Sequence, residues 1–97
     1  IKLLAASPNV TGVRQLVLSA KAIGNRGAVA LATSPHLTGL THLDVRENRI
    51  GTTGAAALAR SHSLSQLKEL LLVYNRIGDS GARAFLTTRL ASLDALM

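Results

Sequence analysis

Apolar residues recur along this chain with two interleaved periods. With Val10, Leu37 and Leu64 set in register, the sequence lines up on itself at a spacing of 27 residues. Each row carries apolar positions three and then two residues apart: Val13, Leu16 and Leu18; Leu40, Leu43 and Val45; Leu67, Leu70 and Leu72. The pair two apart is the alternation of a strand with one buried face, because successive strand side chains point to opposite sides. Ile23, Ile50 and Ile77 follow, and then Gly24, Gly51 and Gly78, where a residue without Cβ permits a tight turn. The next column, Asn25, Thr52 and Asp79, consists of residue types favoured as helix N-caps. Beyond it lie Gly27/Gly54/Gly81, Ala28/Ala55/Ala82 and Leu31/Leu58/Phe85. Ala and Leu three apart share one helical face, which predicts that Phe85 is buried, and the small Ala lets the helix approach a neighbouring layer.

Each row therefore predicts a short strand, a turn and a helix of about ten residues, roughly 15 Å long at 1.5 Å per residue. Three rows cover 10–36, 37–63 and 64–89. Residues 1–9 repeat the end of a row, with Leu4 to Asn9 over Leu31 to His36, and residues 90–97 open a further row, one residue early, with Leu90, Leu93 and Leu96. So small a unit cannot bury both its faces alone. Stacking neighbours places the strands in a parallel sheet on one side and the helices on the other, joined by right-handed crossovers. The chain opens in a helical pattern and closes in a strand pattern, with no polar capping face at either end. This predicts a segment of a longer array; the alternative is a small protein whose end strands pair with another copy.

The block from Leu37 through Leu40, Leu43, Val45, Asn48, Ile50, Gly51, Gly54 and Ala55 to Leu58 resembles the ribonuclease-inhibitor type of leucine-rich repeat, and the match recurs from Leu64 to Phe85. The resemblance implies an α/β solenoid, a horseshoe segment with its parallel sheet on the concave side and its helices on the convex side. It also implies a concave surface that binds proteins. Relatives of this type include inhibitors, receptor sensor arrays and a GTPase-activating protein, so an array serving a GTPase-activating or nucleotide-sensing protein is an alternative reading, with Arg49 or Arg76 as the arginine to examine. Asn48 and Asn75 match the family's asparagine, whose amide is expected to bond the backbone at the bend after the strand. Lys21 stands at that position in the first row and has no acceptor, which predicts a looser first bend or a water-mediated substitute.

Composition narrows the function. Aromatic residues make up only 2% of the chain against 47% hydrophobic residues, so Leu, Ala, Val and Ile must fill thin, evenly stacked layers. The chain has no cysteine, which removes disulfides and thiolate metal sites and is compatible with the cytoplasmic, intracellular location expected here. No apolar run approaches the ~20 residues of a membrane span, and the first residues do not form a secretory signal, so no membrane association is expected. The net charge is +6, from 11 Lys and Arg against 5 Asp and Glu, and the basic residues never form a run. That balance reads first as a solubility feature.

If the leucines of the strands point inward, the residues between them face out in columns: Gln15/His42/Glu69, Val17/Asp44/Leu71, Ser19/Arg46/Val73 and Ala20/Glu47/Tyr74. The expected protein-binding residues are His42, Asp44, Arg46, Glu47 and Glu69 beside the apolar and aromatic Leu71, Val73 and Tyr74. The plainer readings are scattered surface apolars at Leu71 and Val73, and mutual neutralisation of Asp44 and Arg46. Catalysis is not expected: His42, Asp44 and Ser19 invite a triad, yet positions two apart on a strand lie about 6.5 Å apart, with no oxyanion hole in prospect. His36 and His62 fit no metal spacing and read as turn residues, so neither metal nor cofactor is expected. The recurring Ile-Gly-x-x-Gly lacks the Gly-Lys-Ser/Thr of a phosphate loop and is structural. Arg26, Arg60, Arg83 and Arg89 near the helices leave nonspecific polyanion binding as a second alternative. Specific nucleic-acid recognition is not expected, because Tyr74 and Phe85 are the only aromatics.

Overall fold

A computed structural model describes residues 12–87 and the backbone of 95–96. The described elements run β1 (Gln15–Val17), α1 (Gly24–Thr33), β2 (His42–Asp44), α2 (Thr52–Ala59), β3 (Glu69–Leu71), α3 (Gly78–Arg83), a 3-10 turn (Ala84–Thr87) and β4 (Ala95–Leu96). The four strands form one parallel sheet in chain order. Leu16 pairs with Leu43 and Leu43 with Leu70, so the lateral register steps by the 27 residues of the repeat. β4 comes one residue early, at a step of 26, with Leu96 beside Leu70. The sheet lies on one side of an apolar layer and the helices on the other.

That layer forms because the two periodicities converge on it. Leu43, Val45, Leu70 and Leu72 arrive from the sheet, and Ala28, Leu31, Ala55 and Leu58 from the helices, with Ile50 closing the turn. Leu31, Leu37, Leu40, Leu43, Leu58, Leu64, Leu67 and Leu70 are all 1% exposed or less. Each buried leucine contributes about 1.5–3 kcal/mol relative to remaining in water. Small residues set the spacing between helices: a Cβ on Gly54 would fall 2.8 Å from the Ile50 side chain and 2.9 Å from Ala28 Cβ. No larger residue fits there without displacing α1 from α2.

Several expectations are corrected. The Asn25/Thr52/Asp79 column does not cap its own helices; the N-cap positions are Ile23, Gly51 and Ile77, and none makes a side-chain cap bond. Asn25 instead serves the next repeat. Its Oδ1 accepts from the backbone N–H groups of Gly51 at 2.8 Å and Gly54 at 2.9 Å, at the start of α2. Thr52 also reaches forward, donating to the Ile77 carbonyl at 2.9 Å. The glycine turn is not uniform: Gly24 and Gly78 have φ of +62° and +65°, whereas Gly51 has φ −100°. Asn25 has taken the Gly51 N–H and that turn opens. In the third repeat Ala82 is exposed and Phe85 only half-buried, and α3 ends after six residues in the 3-10 turn. Ala82 and Phe85 line an apolar groove of about 310 Å³ with Leu72 and Ile77. Residues 1–9 and most of 90–97 lie outside the described residues, as does Arg89.

Candidate functional site

The side chains of the sheet face are positioned by the bend that follows each strand. Beyond the three-residue strands the parallel ladder continues, with Leu18 N donating to Asp44 O at 2.8 Å and Ala20 N to Arg46 O at 3.0 Å. The same bonds recur one repeat later, from Val45 N to Leu71 O and from Glu47 N to Val73 O. The chain then turns through left-handed residues, Ala20, Glu47 and Tyr74, with φ of 56°, 56° and 60°. Ala22 and Arg49 repeat the conformation two positions on, at 54° and 59°. A non-glycine residue in this region costs about 1–2 kcal/mol, so something must hold the bend.

An asparagine from the following repeat holds it. Asn48 is fully buried, and its Oδ1 accepts from Lys21 N at 2.9 Å and Ile23 N at 3.2 Å. Its Nδ2 donates to Leu18 O and Arg46 O, both at 2.8 Å. Asn75 treats the second bend the same way, accepting from Asn48 N and Ile50 N and donating to Val45 O. The amide thus bonds the bend, as the resemblance implied, but mainly the bend of the repeat before its own. This corrects the expectation at Lys21: the first bend is held by Asn48, from the repeat that follows.

A second clamp joins the helix ends. Ser61 is 4% exposed; its hydroxyl donates to Ala32 O at 2.5 Å and accepts from Leu64 N at 3.1 Å. Ser34, at the matching position, accepts from His36 N. Sequence reasoning passed over these serines, although Ser7, Ser34, Ser61 and Thr88 form a hydroxyl column.

The expected outward columns are laterally adjacent: Gln15, His42 and Glu69 are register partners, as are Val17, Asp44 and Leu71. Their exposure differs. Asp44 was expected as an open contact and is only 7% exposed. Arg46 covers it, with Nε 2.9 Å from Oδ1 and Nη2 2.7 Å from Oδ2, and the Arg46 backbone N–H adds a third bond. The bonded guanidinium holds the Asp44 carboxyl below its ordinary range, against the opposing effect of burial, and the carboxylate raises the Arg46 pKa in turn. Mutual neutralisation of the pair, the plainer reading, describes this contact. Leu71 and Glu69 are half-buried. Val73, Tyr74, Glu47 and Arg46 are exposed, Tyr74 by 78%. Val17, left out of the expected set, is 66% exposed on the same face. Its place in the Asp44 column was the available signal.

No triad is assembled. The Asp44 carboxylate is occupied by Arg46, and His42 Nδ1 lies 2.9 Å from its neighbour Thr41 Oγ1. His36 is half-buried in a turn and His62 exposed; among the described residues no three potential ligands gather to hold a metal. Arg26, Arg60 and Arg83 are exposed on or beside the helices, and Arg49 and Arg76 at the bends. Among the described residues no helix is long and apolar enough to cross a membrane.

A family model described as leucine rich repeat matches residues 34–59 and 64–86. The matched segments cover about half of the chain and include α2, β3 and α3, and the chain belongs to the leucine-rich-repeat family. No curated protein matches the chain significantly.

Proposed function

We propose that this leucine-rich-repeat chain is a protein-binding segment of the ribonuclease-inhibitor type, part of a longer horseshoe with repeats at 10–36, 37–63 and 64–89, and that it takes its partner on the sheet face. The observation that carries the reading is the exposure of Val17, Val73 and Tyr74 on one face whose first two bends are fixed by the amides of the buried Asn48 and the half-buried Asn75. Exposed apolar and aromatic side chains on a rigid frame supply binding area at low entropic cost. The 27-residue register, with Asn48 and Asn75 spanning adjacent bends, supports the repeat type. His42, Arg46, Glu47 and Glu69 form the polar surround, and Asp44 sets the direction of Arg46 from beneath.

Capture from a cell lysate, with the chain and its Val73→Asp/Tyr74→Asp double variant, tests the reading. Both positions are exposed, and Asp tolerates the left-handed backbone at position 74, so the fold survives with a stability change of roughly 0.5 kcal/mol per site or less. A protein retained by the unaltered chain and lost from the folded variant is the expected result. Equal retention by both removes the sheet face as the binding surface.

A further inference from the structure

The charges on this chain are segregated. Three of its five acidic residues, Asp44, Glu47 and Glu69, stand in the outward columns of the sheet, against one of its eleven basic residues, Arg46. The one basic residue is already committed, since Arg46 spends its guanidinium on Asp44 through two side-chain bonds. Among the described residues that is the only ion pair, so neither Glu47 nor Glu69 has a salt-bridge partner there, on the face of a chain whose net charge is +6. Four further basic residues border this strip: Arg14 and Lys68 precede the strands, and Arg49 and Arg76 follow the bends.

Glu47 and Tyr74 are neighbours in the same column, each raised on a left-handed residue at the strand exit. Between them and the first repeat lies a notch of about 190 Å³ lined by Ser19, Ala20, Arg46, Glu47 and Tyr74. It offers one carboxylate, one exposed aromatic ring and the Ser19 hydroxyl, and its single cation, Arg46, is bonded to Asp44. Such a set fits a guanidinium or ammonium group, which pairs with the carboxylate and lies over the ring. The exposed Val17 and Val73 stand in the adjacent columns, ready for aliphatic neighbours of that cation. A run of several basic residues would instead meet the bordering arginines.

On the reading that the sheet face binds protein, we infer that its partner presents a single arginine or lysine flanked by apolar residues, and that the cation seats in the notch between Glu47 and Tyr74. Tyr74 is the only tyrosine and there is no tryptophan, so its ring is an unambiguous reporter.

The test is an NMR titration with three peptides, acetyl-Leu-Arg-Leu-amide and its citrulline and glutamate counterparts, following the tyrosine ring and backbone amide signals. The arginine peptide is expected to bind roughly 3- to 30-fold more tightly than the uncharged citrulline one, the range given by one exposed ion pair plus one exposed cation–π contact. The glutamate peptide binds most weakly, and added salt narrows the arginine advantage. Glu47→Gln, a change at an exposed side chain, reduces that advantage without altering the spectrum elsewhere. Equal affinity for arginine and citrulline overturns the inference, as does an arginine advantage unchanged in Glu47→Gln or the absence of any shift at the notch. Equal affinities with shifts at Val17 and Val73 leave the sheet-face reading standing, which the lysate capture judges separately.

Discussion

Replacing Asn48 by Ala tests whether the repeats are coupled through buried amides or through apolar packing alone. The substitution removes four hydrogen bonds, two accepted from the Lys21 and Ile23 N–H groups and two donated to the Leu18 and Arg46 carbonyls. A typical bond of this kind contributes about 0.5–1.5 kcal/mol net, so the loss is about 4 kcal/mol, within roughly 2–6. The upper part of that range applies where water cannot replace the amide, and Asn48 is 0% exposed. Against an ordinary domain stability of about 5–15 kcal/mol, the change is large enough to read from urea unfolding followed by circular dichroism. Hydrogen exchange at Lys21 and Ile23 should accelerate first, because these amides lose their acceptor directly. Asn48→Asp sharpens the test: the ionised carboxylate keeps the acceptor but faces two carbonyls at about 2.8 Å where Nδ2 donated. Burial and those carbonyls raise the folded-state pKa of this Asp above its unfolded value of about 3.9. The folded state then binds more protons, so the variant gains stability as pH falls from neutral towards about 4, opposite to an ordinary salt-bridged carboxylate. A loss below about 1 kcal/mol for Asn48→Ala, or a flat pH profile for Asn48→Asp relative to the parent, would refute the clamp.

Two further outcomes are expected. Ser61→Ala leaves the buried Ala32 carbonyl and Leu64 N–H without the hydroxyl they share and should cost about 1–3 kcal/mol in denaturant unfolding, whereas Ser65→Ala, at an exposed site, should change stability by less than about 0.5. For the Asp44–Arg46 pair, the depressed folded pKa means a stabilisation that is present above about pH 4 and lost as pH falls through the lower folded value; the stability difference between the parent and Asp44→Asn should therefore be constant from pH 7 to 5 and shrink below 4, and a difference unchanged down to pH 3 contradicts the pairing.

The architecture was legible because each repeat states the same periodicities three times. Val13, Leu16 and Leu18 alone are compatible with several folds; with Leu40, Leu43, Val45 and Leu67, Leu70, Leu72 in register, the parallel sheet follows and the observed pairing of Leu16, Leu43 and Leu70 agrees with it. The outward columns were legible for the same reason. What could not be read was direction along the array. Asn25 carries all the marks of a cap for its own helix, and only the placement of α2 shows it capping the next. Lys21 appeared to spoil the first bend because the asparagine was assigned to its own repeat. Exposure within a column was also hidden: Val17, Asp44 and Leu71 are equivalent in pattern, but an arginine two residues on covers only the middle one. A repeat sequence fixes which residues are neighbours more readily than which neighbour each polar atom chooses.

That choice links the fold to its use. The residues offered at the strand exits, Ala20, Glu47 and Tyr74, sit in a backbone conformation that costs about 1–2 kcal/mol for a side-chain-bearing residue. The first two bends are held by Asn48 and Asn75, which come from the repeats that follow them. A repeat alone would therefore present its exit residues loosely, and stacking makes the surface rigid as well as making the core dry. Because the amides bond backbone between repeats while the presented side chains point away, the surface residues can change without disturbing the clamp. Glu47 in the second bend and Ala20 in the first occupy the same backbone conformation with different chemistry. Separation of this kind lets one scaffold carry many binding faces, and it locates specificity in the outward columns and stability in Asn48, Asn75 and Ser61.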